Sequence, residues 1–403
     1  MILIIAVGSL YASSTQLETT ADRPDTLSSM APHNRILILA EVSKTGGTRT
    51  FARELQAASG PPEFNMDFHL FSIGEERDAA GDFPGLPQDS VFHIRKSWWP
   101  RYILPGWLAL RNVCQKTGPN DIVILSTGVP GLFFAPWVRR RRVFYFIHTY
   151  PHSRFHRYFG RLFGLLIPRN WNLVTVSNFS AQWISKMWHL SRRNIPVSVV
   201  WPGIRFRASE APAELDKKAS GVTKVLCVAA CVEYKNPGLW LDVATEAHEG
   251  APGQFHFTWV GGGPLLEQMR QAVESRGLEK TVEFVGHSDN PEKYYGVADV
   301  YLQLSAIESF GLSLVEAASH GIPSVVSNIG GMAEIVHDGQ SGYVIEPGNS
   351  VETYRALTML VSGSDKQKRF GENAKRIYEE DFSHDVWVKR IRKMISSANA
   401  SES

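Results

Sequence analysis

Ser305 to Glu316 reads SAIESFGLSLVE, directly after the apolar run Val300 to Leu304, VYLQL. The run has strand character and ends in a turn carrying Glu308. Phe310, Gly311 and Leu312 then open a helical stretch that bears Glu316. A strand passing through a short turn into a helix is the repeating unit of an open parallel α/β sheet. The free N–H groups of such a helix's first turn, with their partial positive charge, favour a phosphate, and Gly311 lets the backbone approach it closely. A diphosphate suits this turn. Glu308 stands just outside the helix and Glu316 about one and a half turns inside it, so the two carboxylates are poorly placed to share a metal or a proton. They suit two ends of one ligand, one accepting from sugar hydroxyls and the other from ribose hydroxyls. Spacing alone leaves equally open a capping Glu308 and a solvated Glu316.

Working outward, the same unit recurs. Lys224 to Ala230 (KVLCVAA), Phe255 to Val260 (FHFTWV, ending in Gly261, Gly262 and Gly263), Val282 to Val285, Val300 to Leu304 and Pro323 to Ser327 are short apolar runs, each followed by a helix-like segment. Upstream, Arg35 to Ala40 (RILILA) ends in the Gly-rich turn Lys44 to Gly47, and Thr48 to Ala58 reads as a helix. Phe68 to Ile73, Asp121 to Ser126, Val143 to His148 and Leu173 to Ser177 continue the series. Strands alternating with crossovers imply parallel sheets covered on both faces. Arg205 to Gly221 is charged, small and weakly periodic, which suits a connection between two such units. The fold class predicted is α/β with two facing Rossmann-like domains. Residues 33–203 form the first, 204–222 the linker and 223–375 the second. Lys366 to Ser397 reads as one long helical stretch, and residues 376–403 are expected to pack back on the first domain. Facing sheets place a cleft at the carboxyl ends of their strands.

The totals exclude several classes. In 403 residues, 42 Lys plus Arg stand against 40 Asp plus Glu, a formal charge of +2 that gives no reason to expect nucleic acid as a partner. A 43% apolar and 20% charged composition is that of an ordinary folded chain. Cys114, Cys227 and Cys231 make no disulfide framework, and no Cys/His cluster has zinc spacing, so a reducing cytoplasm and no metal are expected. Ile2 to Tyr11 (ILIIAVGSLY) is far short of the roughly 20 residues that span a bilayer, and no Lys or Arg precedes it. Thr15 to Pro32 is rich in Ser, Thr, Asp and Pro, and Met30 stands just before the first convincing strand. Residues 1–32 are therefore expected to be an unpacked tail or a start codon assigned too early, with a cleaved or interfacial segment as the second reading.

From Phe255 to Pro347 the ordered set FTWVGGGP, VEFVGH, YYGVADVYLQLSAIESFGLSLVEAASHGIPSVVSNIGGMAEIVHDG and SGYVIEPG resembles the carboxyl-terminal domain of the retaining glycosyltransferases of family 4, glycosyl transferases group 1, which have the GT-B fold. The resemblance implies that Glu308 lies beside a donor sugar and Glu316 binds the nucleotide ribose, the two ends of an E-x7-E motif. It implies that the amides of Phe310, Gly311 and Leu312 hold the diphosphate and that His287 borders the base. More loosely, Gly46 and Gly47 occupy the place of a Gly-rich loop abutting the diphosphate, and His148, ending VFYFIH, that of a His near the donor sugar. LVTVSNFS and VVWPGIRF look like the last strands before the second domain.

One departure stands out. The family supplies an Arg five or six residues before a Lys, and together they neutralise the departing diphosphate; in VAACVEYKN, Lys235 is present while Ala229 and Ala230 stand where the Arg belongs. Arg49, beside the Gly-rich loop, is a candidate substitute, though a solvated helix position describes it as well.

The resemblance implies a retaining, hexosyltransferase-type enzyme whose donor is a nucleotide-diphosphate sugar. Neither cofactor nor metal is expected, since no Asp-x-Asp motif is visible. The acceptor is a glycan, a lipid-linked molecule or a small molecule. In Arg154 to Leu166, the residues Phe155, Tyr158, Phe159, Leu162, Phe163 and Leu166 form a helical stripe flanked by Arg154, Arg157 and Arg161. With Trp98, Trp99, Trp107 and the run Arg139 to Arg142, this gives a peripheral contact with the cytoplasmic face of a membrane as one reading; a stripe packed on the sheet is the other. The competing functions are a GT-B phosphorylase or epimerase, and a non-catalytic protein binding nucleotide sugars or glycans.

Overall fold

A computed structural model describes residues 167–206 and 221–400 continuously and, before them, residues 36–42, 47–57, 66–73, 91–94, 122–126, 142–148, 160 and 164–165. Two parallel sheets carry the chain. The first contains β1 (Ile36–Val42), β2 (Met66–Ile73), β3 (Val91–Ile94), β4 (Ile122–Ser126), β5 (Arg142–Ile147), β6 (Trp171–Thr175) and β7 (Val197–Val199), in the order β3-β2-β1-β4-β5-β6-β7. The second contains β8 (Thr223–Val228), β9 (Phe255–Val260), β10 (Val282–Gly286), β11 (Val300–Gln303), β12 (Ser324–Ser327) and β13 (Gly342–Ile345), in the order β10-β9-β8-β11-β12-β13. Every residue of β4, β11 and β12 is buried, which is why these strands read as unbroken apolar runs rather than alternating ones. In both sheets the order reverses beside the first strand, so each has a switch point at which loops splay apart and leave room for a ligand. In the second sheet that point lies between β8 and β11, paired through Val225 with Val300 and Leu226 with Tyr301.

The strands foreseen from sequence appear, most with ends displaced by one or two residues; β3 and β13 are additional, and β7 meets the stretch VVWPGIRF, likened to a family strand, only at Val199. Around the second sheet run α3 (Pro237–Gly250), α4 (Leu266–Ser275), α5 (Leu312–Ser319), α6 (Ser350–Val361) and α7 (Ser364–Ile377); the first carries α1 (Gly47–Ala57) and α2 (Asn178–Met187). One core face of the second sheet gathers Trp240, Phe257, Trp259 and Phe284, and the other Tyr295, Tyr301, Phe310, Leu314 and Phe382. Burying side chains of this size contributes roughly 1.5 to 3 kcal/mol each.

The end of the chain differs from the single helix expected over Lys366 to Ser397. The helix α7 passes into a π-helical turn at Tyr378–Phe382, breaks at Ser383, and restarts as α8 (His384–Ala400). The break has a tertiary cause. Ile204 forms a parallel bridge with Ser383, its N–H donates to the Phe382 carbonyl (3.0 Å), and the His384 N–H donates back to its carbonyl (2.9 Å). Beyond this crossing, Trp387, Ile391 and Ile395 share a core with Phe51 and Leu55 of α1 and with Ile122, Phe144 and Phe146 of the first sheet. His384 Nδ1 lies 2.6 Å from the Glu54 carboxylate of α1, and Arg205 donates to His384 Nε2 at 3.1 Å.

Candidate functional site

Lys235 and Glu308 meet across the switch point of the second sheet. Lys235 closes a 3-10 turn (Glu233–Lys235) after β8, and Glu308 sits in the loop after β11. Two amides, of Ala306 and Ile307, donate to the Tyr234 carbonyl at 2.9 and 3.3 Å and lace the loops together. Lys235 Nζ then stands 2.5 Å from Glu308 Oε2, with both side chains largely shielded. The same carboxylate oxygen accepts from Gln303 Nε2 at 2.8 Å, while Oε1 accepts from the Ser309 N–H at 3.1 Å. Gln303 is itself buried in β11, and its carbonyl takes the Ser313 hydroxyl, which in turn accepts from Tyr301 Oη at 2.9 Å. A buried polar relay thus fixes Glu308 from beneath.

The helix that follows begins at Leu312 with Gly311 as its N-cap, two residues later than the start at Phe310 that the sequence pattern suggested. Gly311 has φ +112°, a conformation a β-carbon would strain, so this position requires glycine. The first amides of α5 have no acceptor within the helix and carry its positive end. Phe310 is buried, its ring edge-on to Phe382 at 5.6 Å. Further along α5, the Glu316 carboxylate accepts from Tyr295 Oη at 2.8 Å. Burial, and the negative charge of Glu316 beside it, hold the Tyr295 phenol well above its ordinary range, so the tyrosine stays the donor. His287 follows β10; it is exposed, contacts Asp289 at 3.2 Å, and has Gly262 of the loop after β9 next to it.

In the first half, His148 directly follows β5 with Nε2 2.7 Å from Ser126 Oγ at the end of β4, its ring edge-on to Phe51 at 4.5 Å. Burial lowers its pKa to about 4, because the imidazolium would lose its hydration there, and the ring is neutral near pH 7. Gly47 is the first residue of α1; Gly46 lies outside the described residues, as does the side chain of Arg49. Residues 1–32, Cys114, Trp98, Trp99, Trp107, Arg139 to Arg141 and the stripe residues Phe155, Tyr158, Phe159, Leu162, Phe163 and Leu166 lie outside them too. Among the described residues no helix is long and apolar enough to cross a membrane. Cys227 and Cys231 are free and buried; desolvation pushes the first thiol far up and the second to about 11, so neither is a thiolate nucleophile near neutral pH.

Where an Arg was expected, Ala229 donates its N–H to Val260 and its carbonyl accepts from Trp259 Nε1 at 2.9 Å, while Ala230 is exposed. Sequence reasoning missed Gln303, Ser177 and Glu334. A Gln within the apolar run VYLQL was a readable signal; Ser177 and Glu334 carried none, because their partners are remote in the chain. Glu334 Oε2 accepts from the Asn178 N–H (2.9 Å), Asn178 Nδ2 (2.9 Å) and Trp201 Nε1 (2.8 Å), and Oε1 accepts from the Phe179 N–H (2.9 Å). Ser177 donates to the Ser309 carbonyl at 2.7 Å.

Residues 213–377 match the family described as Glycosyl transferases group 1. The chain is similar to N-acetyl-alpha-D-glucosaminyl L-malate synthase of Bacillus anthracis, 32% identical over 131 residues, or 32% of this chain and 34% of the relative. It is also similar to O-antigen chain mannosyltransferase C of Escherichia coli, 33% identical over 170 residues, or 40% of this chain and 43% of the relative. The matched stretch thus spans less than half of either relative. Among solved structures, the Anabaena HepE protein in complex with UDP and glucose superposes with TM-score 0.71 at 20% identity, covering 91% of this chain and 100% of that one.

Proposed function

We propose that this chain, whose residues 213–377 are a glycosyl transferases group 1 domain within a GT-B fold, moves a hexose from a nucleotide-diphosphate sugar to an acceptor hydroxyl with retention of configuration and without a metal. The observation that carries the reading is the Lys235–Glu308 pair, 2.5 Å apart at the switch point and beside the positive end of α5. When the bond between the anomeric carbon and the phosphate oxygen breaks, negative charge gathers on the diphosphate and positive charge on the sugar. Lys235 and the amides of Phe310, Gly311 and Leu312 answer the first, and Glu308 stands on the side of the second. The acceptor oxygen bonds the anomeric carbon from the face the diphosphate leaves, and its proton passes to the departing phosphate oxygen. Glu316 takes the ribose hydroxyls, and His287 borders the base. His148, too weak a base to remove a proton near neutral pH, serves as a hydrogen-bond partner for a sugar hydroxyl. Because a lysine and a helix end already meet the leaving charge, a cation is not needed.

UDP is the first nucleotide to try, since the HepE structure holds it. Purified protein is incubated with a panel of nucleotide sugars, and slow release of free sugar is followed. Hydrolysis of at least one donor, lost in Lys235→Ala and Glu308→Gln, supports the reading. Ala229 and Ala230 favour a second one, a nucleotide-sugar-binding protein without turnover, because loss of one of two cations at a leaving group costs about 3 to 4 kcal/mol by analogy with removing an oxyanion donor. Tight nucleotide binding with no turnover of any donor would decide for it.

A further inference from the structure

We infer that Glu334 and Ser177 form a latch between the two halves of the molecule that positions the donor-binding turn Glu308 to Leu312; the inference rests on the reading of that turn given above. Ser177 caps α2, its hydroxyl accepting from the Ser180 N–H at 3.1 Å, and the same hydroxyl donates to the Ser309 carbonyl at 2.7 Å. That carbonyl belongs to the peptide whose other end is the Phe310 amide, so the bond fixes the plane in which that amide points. Glu334 acts on the same end of α2. Its two oxygens take four donors, the N–H groups of Asn178 and Phe179, the Asn178 side chain and the Trp201 indole, all at 2.8 to 2.9 Å. A carboxylate against the positive end of α2 is favourable in charge as well as in hydrogen bonding.

The turn that brings Glu334 there also presses on the donor turn. A β-carbon on Gly330, at φ +64°, would lie 1.6 Å from the Glu308 carbonyl oxygen. One on Gly331 would lie 2.8 Å from the Ser309 carbonyl and 2.9 Å from the Ser177 β-carbon. The segment Glu308 to Phe310 is therefore held between Ser177 of the first half and Gly330 and Gly331, four and three residues ahead of Glu334. Glu334 touches no donor atom in this scheme. It is a positioning residue, which acts by holding α2, and through Ser177 the peptide at Ser309, in register with Lys235 and Glu308.

Two readouts separate the latch from the activity it serves. In spectra of isotope-labelled, ligand-free protein, Glu334→Ala and Ser177→Ala are expected to shift or broaden the amide resonances of Phe310, Gly311 and Leu312. Asn349→Ala, which removes the remote α6 cap bonded to the Glu352 N–H at 3.0 Å, is expected to leave them in place at a similar loss of thermal stability. With a donor found by the panel, each latch variant is expected to lower kcat for sugar release about tenfold or more, as small misplacement of a reacting geometry does, with KM for the donor little changed. The double variant loses no more than the worse single one, because the two residues act as one unit. Unmoved resonances in both latch variants, or kcat losses no larger than in Asn349→Ala, overturn the latch. If the native protein turns over no donor, the spectra still decide the latch, and only the reading of the site falls.

Discussion

Replacing Glu308 by Gln is expected to tighten binding of a nucleoside diphosphate while abolishing sugar transfer. In the native chain Lys235 is already paired, 2.5 Å from Glu308 Oε2, so an arriving diphosphate shares its cation with a carboxylate and sits close to that carboxylate's charge. Two unit charges about 6 Å apart interact by about 3 kcal/mol at an effective dielectric of about 20. Partial exposure of the pair and dissolved salt reduce this to about 1 kcal/mol, or roughly fivefold in affinity. Gln can keep its oxygen on Lys235 and Gln303, so the relay through Ser313 and Tyr301 stays closed. Titration calorimetry with UDP, repeated at low and high salt, reads the effect. The variant is expected to bind about fivefold more tightly at low salt, with the gain shrinking as salt rises, and to release sugar two to three orders of magnitude more slowly, by about 3 to 4 kcal/mol. Lys235→Ala moves affinity the opposite way. A folded Glu308→Gln protein that binds UDP more weakly than the native chain refutes the argument that the pair competes with the ligand.

His148 has a folded pKa of about 4 against an ordinary value of 6.5, so the unfolded chain takes up its proton first and stability falls as pH drops from about 6.5 towards 4. Between pH 7 and 5 this costs at most about 2 kcal/mol, and His148→Asn is expected to flatten that part of the melting-temperature profile; parallel profiles would count against it. Trp387→Ala removes a fully buried indole that packs on Phe51 at 5.3 Å, and a loss of about 3 to 5 kcal/mol is expected in denaturant titration. Gly331→Ala places a β-carbon against the Ser309 carbonyl, costing about 1 to 3 kcal/mol of strain, with UDP affinity falling in the same calorimetric assay. Cys227 and Cys231 are expected to resist thiol reagents near neutral pH until denaturant is added, since both are buried with raised pKa values.

The interior strands were legible because burial on both faces leaves an unmistakable trace, as in IVILS of β4 and SVVS of β12. β3 and β13, which escaped, and β7, which only the family likeness touched, are outermost in their sheets and short; an edge strand needs no continuous apolar run. The single helix expected at the end broke because Ile204, far upstream, bonds to Phe382 and His384, and no local pattern reveals a remote partner. The site followed the same division. Glu308, Gly311 and Glu316 could be proposed from one continuous stretch, since strand, turn and helix are neighbours there. That Lys235 and Glu308 serve one site came from family resemblance, their direct contact only from the structure, and the meeting of Glu334 with Asn178, 156 residues away, from neither source of expectation.

The crossing at Ile204 and Ser383 also bears on how the chain comes to be folded at all. The first sheet is translated early, yet Trp387, Ile391 and Ile395, which cover Phe51 and Phe146, leave the ribosome only after every strand of the second sheet. Until then that core holds Phe51 and Leu55 of α1 but lacks the share that Trp387, Ile391 and Ile395 contribute, while the second sheet can assemble from residues already made. Synthesis order and completion order are thus inverted, and a stop codon anywhere before His384 would strip the half of the molecule farthest from it in sequence.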